Sequence, residues 1–145
     1  MALQPSACAN ERSGRRRILL VEDEPFVREA TCSILQNAGF EVLPAEDACE
    51  AMKMYEECGQ RVDLVMTDMV LPGRTGQQLG QDLRARSPEV SVLVTSGYGE
   101  AEYETESPEA HTYFLAKPYS RRSLVDKIQA ILESAVMQHA ATQAG

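Results

Sequence analysis

Short apolar segments alternate with longer amphipathic segments along this chain. Four of the apolar segments end on polar side chains: 18–21 on Glu22 and Asp23, 62–67 on Asp68, 92–95 on Ser96, and 112–116 on Lys117. Apolar runs of this length between helix-period segments are typical of buried parallel strands. Because the carboxyl ends of parallel strands meet at one edge of a sheet, the pattern predicts that three acids, a hydroxyl and a lysine share one crevice.

The segments between the strands have the three-and-four spacing of helices with one buried face. The predicted core faces are Val27, Ala30, Thr31, Ile34, Leu35 and Ala38 in a first helix ended by Gly39; Ala48, Ala51, Met52 and Tyr55 in a second; Gly76, Leu79 and Leu83 in a third; and Leu124, Ile128, Ile131, Leu132 and Ala135 in a last one. Asp47 with Glu50 is typical of a capping box, and Ser120 of a helix cap. Together with a strand at 40–45, the pattern predicts five β-α units with right-handed crossovers, a three-layer α/β domain.

Charge and composition restrict the class of protein. A formal net charge of −8 over 145 residues disfavours nucleic acid and anionic membranes as main partners, because both would repel the chain. No segment is long and apolar enough for a membrane span, and Met1–Gly14 lacks the apolar centre of a signal peptide. The four cysteines are irregularly spaced and are interpreted as reduced thiols. We therefore expect a cytoplasmic protein without a membrane segment in this chain.

The acids at the strand ends suggest metal and phosphoryl chemistry. Glu22, Asp23 and Asp68 would repel one another in a partly desolvated crevice, at a cost on the order of 1 kcal/mol or more per pair. A cation removes this cost, and an all-oxygen ligand set favours Mg²⁺ over zinc or copper. A carboxylate beside Mg²⁺ and Lys117 is equipped to accept a phosphoryl group, with Ser96 as a hydrogen-bond donor to it. The alternative is that these acids only cap helices and face water.

Four segments together resemble the receiver domain of two-component response regulators. They are Val-Glu-Asp-Glu at 21–24, Met-Thr-Asp-Met-Val-Leu-Pro-Gly at 66–73, Val-Thr-Ser-Gly at 94–97 and Ala-Lys-Pro at 116–118. No single segment is specific for this family. Their order and spacing together are specific, with 45 residues from Asp23 to Asp68 and 49 from Asp68 to Lys117. The resemblance implies a flavodoxin-like, doubly wound five-stranded parallel sheet of order 2-1-3-4-5 with helices on both faces. It places a receiver domain at 16–136, between flexible tails at 1–15 and 137–145.

The resemblance also implies roles for the acids. Asp68 would be the phosphoacceptor, and the Mg²⁺ ligands would be Glu22, Asp23, Asp68 and the backbone carbonyl of Val70. The family more often has an aspartate at the position of Glu22. A contact between Glu22 and the metal ion through a water molecule is therefore also compatible with the resemblance. Residues 100–109, where the fourth helix of the family belongs, hold five glutamates and a proline. We expect a short, weakly held helix or partial disorder there.

The remaining implied roles belong to residues at the ends of the last two strands. Lys117 and Ser96 would contact the phosphoryl group, and the peptide bond before Pro118 would be cis. Ser96 and Phe114 would be a coupled switch pair, in which the hydroxyl moves toward the phosphate and the ring turns inward. In physical terms this is a two-state packing element biased by one new local charge.

The sequence therefore predicts a phosphoacceptor signalling module of a two-component phosphorelay and not an enzyme. At most, the module would phosphorylate and dephosphorylate itself. Its partner would be a histidine kinase or a histidine phosphotransfer protein, with no direct contact to nucleic acid, and a homodimer is left open. Because the loop at 96–98 resembles receivers of hybrid sensor kinases, both a stand-alone protein and one domain of such a kinase fit the sequence.

Two other classes of function are weighed against this prediction. A metal-dependent phosphohydrolase with an aspartate nucleophile usually has a second acid two residues later, and Val70 stands at that position. A binding module that works without phosphorylation would not need the complete set of Asp23, Asp68, Ser96 and Lys117. Both alternatives are therefore disfavoured, though the sequence alone leaves them open.

Overall fold

In this computed structural model of the chain, residues 16–57, 62–87, 90–97 and 111–144 are described, without the side chains of 74, 77 and 135–144. The predicted N-terminal tail at 1–15 and the acidic segment at 100–109 lie outside these ranges. The described elements are β1 (Arg17–Val21), α1 (Pro25–Asn37), β2 (Glu41–Ala45), α2 (Ala48–Glu57), β3 (Leu64–Asp68), β4 (Val70–Leu71), β5 (Arg74–Thr75), α3 (Gly76–Arg86), β6 (Ser91–Ser96), β7 (Thr112–Ala116) and α4 (Arg121–Ala144).

Five parallel strands form the central sheet, in the order β2-β1-β3-β6-β7. The short strands β4 and β5 form a separate antiparallel pair. When this pair is left out of the numbering, the order of the sheet is 2-1-3-4-5, so the predicted doubly wound fold is confirmed. The register places Asp68 of β3 opposite Thr95 of β6.

Helices cover both faces of the sheet and form two cores. One core lies under α1 and α4 and contains Leu35, Leu124, Ile128, Ile131 and Leu132 with strand residues such as Ile18, Leu20, Leu64 and Leu93. The other lies under α2 and α3 and contains Ala48, Ala51, Tyr55, Leu79 and Leu83 with Leu19, Val21, Val65, Val92 and Val94. Successive strand residues alternate between the two cores, because every strand of the parallel sheet is buried on both sides.

The predicted core face of α1 was too wide. Thr31 and Leu35 are buried and Ile34 is partly buried, but Val27, Ala30 and Ala38 are exposed. The described side chains of α1 that pack in the core under α1 and α4 are Cys32, Ile34 and Leu35, all in the middle of the helix. Gly39 follows the end of the helix with a φ of +99°, a left-handed conformation that glycine adopts without strain. The predicted end of the helix is therefore correct.

Side chains begin three of the helices. The Asp47 carboxylate accepts a hydrogen bond from the Glu50 N–H at 2.8 Å, as predicted, but the Glu50 carboxylate accepts from Glu46 and not from Asp47. The Ser120 hydroxyl accepts from the N–H of the third residue after it at 3.0 Å, which confirms the predicted cap of α4. The start of α3 is a full capping box between Thr75 and residue 78, which the sequence reading missed.

The last helix is longer than expected. It continues to Ala144, so residues 137–144, predicted as a flexible tail, are helical. The physical reason lies in their composition, because alanine, methionine and glutamine are strong helix formers and none of residues 121–144 is glycine or proline. The boundaries of the receiver domain at 16 and 136 stay a prediction.

The start of α3 lies against the end of β3. A Cβ atom on Gly76 would overlap the backbone carbonyl oxygen of Asp68 and approach the Thr67 side chain to 3.0 Å. The Gly76 N–H also donates to the Met69 carbonyl at 2.7 Å. The absence of a side chain at Gly76 therefore lets α3 approach the strand that carries Asp68, and the two elements are held as one unit.

We expect Gly76→Ala to destabilise the protein by on the order of 1–3 kcal/mol, because a backbone clash cannot be relieved by rotation of a side chain. Gly80→Ala in the same helix is the matched control. Its Cβ would come 3.2 Å from a methyl group of Val92, and the gain in helix propensity, about 1 kcal/mol, works against that crowding. Urea unfolding of both variants measures the difference, and equal unfolding free energies would contradict the close approach.

Candidate functional site

Three acids lie together at the carboxyl edge of the sheet. Glu22 and Asp23 directly follow β1, and Asp68 is the last residue of β3. One carboxylate oxygen from each residue lies within 4.8 Å of the other two. Glu22 and Asp68 are buried, with 6% and 9% of their surface exposed, whereas Asp23 is exposed. The structure thus brings together all three acids that the sequence placed at this edge.

The backbone around Glu22 is fixed by hydrogen bonds. Its N–H donates to the Ala45 carbonyl at 3.0 Å, which continues the pairing of β1 with β2. Its carbonyl accepts a hydrogen bond from the Arg28 guanidinium of α1 at 2.8 Å. Its carboxylate accepts from the Glu24 N–H at 3.1 Å. The acid is therefore directed into the cluster by both the sheet and α1.

Lys117 supplies the positive charge of the cluster. Its N–H donates to the Ser96 carbonyl at 2.7 Å, which fixes the residue directly after β7. Its ammonium group donates to Oδ1 of Asp68 at 2.5 Å. Burial alone would lower the pKa of Lys117, but the hydrogen bond to Asp68 and the nearby carboxylates outweigh burial and raise it. Lys117 is therefore charged. The peptide bond between Lys117 and Pro118 is cis, as predicted.

One lysine does not neutralise three acids. Burial, followed by the hydrogen bond and negative charge of Asp68, raises the pKa of Glu22 from its ordinary value of 4.5 to about 7. A cation bound in the cluster would replace the proton that Glu22 keeps. The cluster therefore has the charge and the oxygen atoms of a site for a hard divalent cation.

Ser96 and Phe114 lie on the neighbouring strands β6 and β7. Ser96 is 1% exposed, and among the described residues its hydroxyl has no hydrogen-bond partner. Phe114 is partly buried and packs against the core under α2 and α3. Val70 is 61% exposed and begins the β4–β5 pair, two residues beyond Asp68. Ser96 is tied to the cluster by its carbonyl, which accepts from the Lys117 N–H, and Val70 by its place two residues after Asp68. The switching and metal-binding roles of Ser96, Phe114 and Val70 stay predictions.

The sequence reading missed Thr95. Its hydroxyl donates to Oδ1 of Asp68 at 2.9 Å, on the same oxygen that Lys117 contacts. The signal that could have found it is the alternation of side chains along β6. Asp68 and Thr95 are in register on adjacent parallel strands, so their side chains lie on the same face, whereas Ser96 lies on the other.

Comparison with known proteins gives the family. The family profile described as response regulator receiver domain matches residues 18–129, which is most of the chain. This chain belongs to that family. Receiver domains are the phosphoacceptor modules of two-component signalling systems, so the predicted class of function is confirmed.

Individual relatives agree with this assignment. The sensor kinase CckA of Brucella abortus is 36% identical over 126 residues, which are 86% of this chain and 13% of the kinase. The phosphate regulon transcriptional regulatory protein PhoB of Escherichia coli is 34% identical over 120 residues, 81% of this chain and 52% of PhoB. The chain therefore spans about an eighth to a half of these curated relatives.

Solved receiver structures have the same fold. The response regulator TrrA of Thermotoga maritima, in complex with Mg²⁺-BeF, superposes with a TM-score of 0.69 at 28% identity, over 80% of this chain and 98% of TrrA.

In the part of the receiver domain that the structure describes, no helix is long and apolar enough to cross a membrane.

The cluster predicts a pH-dependent stability of the metal-free receiver domain. In the folded state Glu22 keeps its proton up to about pH 7, whereas in the unfolded chain it loses it near 4.5. The folded state therefore binds more protons in this window, and the unfolding free energy falls as the pH rises from about 5 to about 7. Urea unfolding in EDTA at several pH values measures this slope.

Glu22→Gln should flatten the slope, because the amide does not titrate. Glu24→Gln is the matched control, since Glu24 is exposed and two residues away, and it should leave the slope unchanged. A slope that survives Glu22→Gln would show that another group controls the pH dependence.

Proposed function

We propose that this receiver domain accepts a phosphoryl group onto Asp68 from a phosphohistidine of a partner protein. The observation that carries the proposal is the contact of the Lys117 ammonium with Oδ1 of buried Asp68, at 2.5 Å, inside the acid cluster. A cation beside a carboxylate is the arrangement that offsets charge when a carboxylate attacks phosphorus. A purely structural salt bridge would not need Glu22 and Asp23 beside it.

The donor atoms of the cluster fit Mg²⁺. The carboxylates of Glu22, Asp23 and Asp68 would hold it, and the backbone carbonyl of Val70 is the fourth proposed ligand. Mg²⁺ prefers oxygen ligands and keeps several waters, which suits a set open to solvent at Asp23. When bound, the ion offsets negative charge on the transferring phosphoryl oxygens. The solved structure of TrrA is a complex with Mg²⁺-BeF, which supports the proposal by similarity.

Asp68, Lys117 and Ser96 have different proposed roles in the transfer of the phosphoryl group. A carboxylate oxygen of Asp68 forms the new bond to phosphorus, the bond from phosphorus to the histidine nitrogen breaks, and that nitrogen keeps the electron pair. Lys117 stays next to the acceptor and pairs with the negative charge of the aspartyl phosphate. Ser96 lies at the end of the adjacent strand, from which its hydroxyl would turn to donate to a phosphoryl oxygen.

Ser96 and Phe114 are the proposed switch. Ser96 ends β6, and Phe114 lies two residues before the end of the adjacent strand β7 and packs against the core under α2 and α3. The hydroxyl of Ser96 has no hydrogen-bond partner in the described ranges of the chain, which favours a second position in which it gains one. Phosphorylation would thus be coupled to packing and to the surface that a partner contacts.

The partner is proposed to be a histidine kinase or a histidine phosphotransfer protein in the cytoplasm. The match to a segment of a sensor kinase supports a receiver within a hybrid kinase, and the match to PhoB supports a regulator with a further domain. In either case the module itself does no more than gain and lose its phosphoryl group, and a homodimer is one state in which it would do so. A phosphohydrolase is disfavoured, since Val70 offers no second acid.

We expect Asp68→Ala to abolish phosphorylation by a phosphorylated kinase or by acetyl phosphate, because the acceptor oxygen is removed. Asp126→Ala is the matched control, since it removes the same charge from an exposed position on α4 and should be labelled as the parent protein is. Intact mass spectrometry measures the added phosphoryl group. Labelling of the Asp68→Ala protein would show that another residue is the acceptor.

Removal of Mg²⁺ with EDTA should slow phosphorylation by at least about a hundredfold, because the charge on the transferring oxygens is no longer offset. Addition of Mg²⁺ in excess of the EDTA should restore the parent rate. Labelling with acetyl phosphate, followed by intact mass, measures both. A rate that does not depend on Mg²⁺ would contradict the metal assignment while leaving Asp68 as the acceptor.

A further inference from the structure

Thr95 lies against the proposed phosphoacceptor. It is the last but one residue of β6, is 3% exposed and pairs in register with Asp68 of β3. Its Oγ1 is 2.9 Å from Oδ1 of Asp68, a normal distance for a hydroxyl hydrogen bond. The hydroxyl of Thr95 donates this hydrogen bond, and the same oxygen of Asp68 also accepts from Lys117.

Two donors from separate elements meet on one oxygen of Asp68. Thr95 reaches Oδ1 from β6, and Lys117 reaches it from the residue after β7. A long lysine side chain alone would follow the carboxylate if it rotated about its Cβ–Cγ bond. The short threonine side chain on a buried strand cannot follow, so the pair of donors fixes the plane of the carboxylate.

The position of Thr95 is otherwise apolar. Val92, Leu93 and Val94, which precede it in β6, are all buried. A hydroxyl in such a strand costs free energy unless it is hydrogen-bonded, whereas a valine of the same shape would not. The next residue, Ser96, faces the other core and has no hydrogen-bond partner among the described residues. Of the two adjacent hydroxyls, therefore, only that of Thr95 contacts the unphosphorylated acid.

We propose that Thr95 is a positioning residue, which together with Lys117 orients the Asp68 carboxylate for attack on phosphorus. This role deepens the proposed function and rests on it. Because the reacting atoms must be held in a narrow range of geometry, the loss of one constraint slows the transfer step. Among the described residues Thr95 has no hydrogen bond to Glu22 or Asp23, and its one contact with the cluster is to Asp68. A rate measured in saturating Mg²⁺ therefore reports the transfer step and not the occupancy of the metal site.

The test is phosphorylation of the full chain by acetyl phosphate in saturating Mg²⁺, followed by intact mass. In this reaction an oxygen of Asp68 bonds to phosphorus, and acetate leaves with the electron pair of the broken bond. Thr95→Val keeps the shape and removes the donor, and it should lower the maximal rate by about tenfold at an unchanged half-saturating concentration of acetyl phosphate. Thr95→Ser keeps the donor and should restore most of the rate.

Ser91→Ala is the matched control, because it removes a buried hydroxyl from the opposite end of the same strand. It should be phosphorylated at the parent rate. A Thr95→Val protein as fast as the parent would overturn the positioning role, while an unlabelled Asp68→Ala protein in the same assay would still support the proposed function. Labelling of Asp68→Ala would overturn the proposed function itself.

A purely structural role predicts a different result. In that case Thr95→Val and Thr95→Ser would slow the reaction in proportion to their loss of thermal stability, and this outcome would overturn the proposal. If Thr95→Val does not fold, Thr95→Cys replaces it, since a thiol of similar size is a weak donor. Thr95→Cys should be several-fold slower than Thr95→Ser, and equal rates would count against the proposal.

Discussion

The structure depends on one electrostatic constraint, the confinement of three carboxylates at the ends of two adjacent strands. Their oxygens lie within 4.8 Å of one another, and only Lys117 pairs with them at close range among the described residues. At such distances in a partly buried site each like-charged pair opposes folding by on the order of 1 kcal/mol or more. Burial and the neighbouring Asp68 raise the pKa of Glu22 to about 7, so a proton on this acid removes part of the repulsion.

The sheet is what enforces this confinement. Parallel pairing aligns β1, β3 and β6 so that their carboxyl ends meet, and the hydrogen bond from the Glu22 N–H to Ala45 keeps the first acid at that edge. On the other side of Asp68, the close approach of Gly76 fixes α3 against the end of β3. The acids therefore cannot move apart without disrupting the core, so neutralisation by a proton or a cation is the easier response.

Most of this arrangement could be predicted from the sequence, since buried runs that end on Asp68 or Lys117 indicate both the strand and its edge. The exposed Val27 could not, because periodicity identifies a helical face but not how far the sheet extends beneath it. The β4–β5 pair is too short to produce a pattern. Thr95 was missed for a different reason: two consecutive hydroxyls look equivalent in sequence, and only the register with β3 distinguishes the faces on which they lie.

That difference between Thr95 and Ser96 has a consequence for how the proposed switch works. Because side chains alternate along β6, the two hydroxyls cannot both contact Asp68 in one backbone conformation. In the unphosphorylated state Thr95 is paired, and Ser96 is buried without a partner among the described residues, which costs about 1–3 kcal/mol. In the proposed phosphorylated state, the oxygens of the phosphoryl group on Asp68 would be new acceptors for the hydroxyl of Ser96. In the proposed switch, the cost of burying this hydroxyl without a partner would favour its rotation toward the phosphoryl group, and the ring of Phe114 would turn inward.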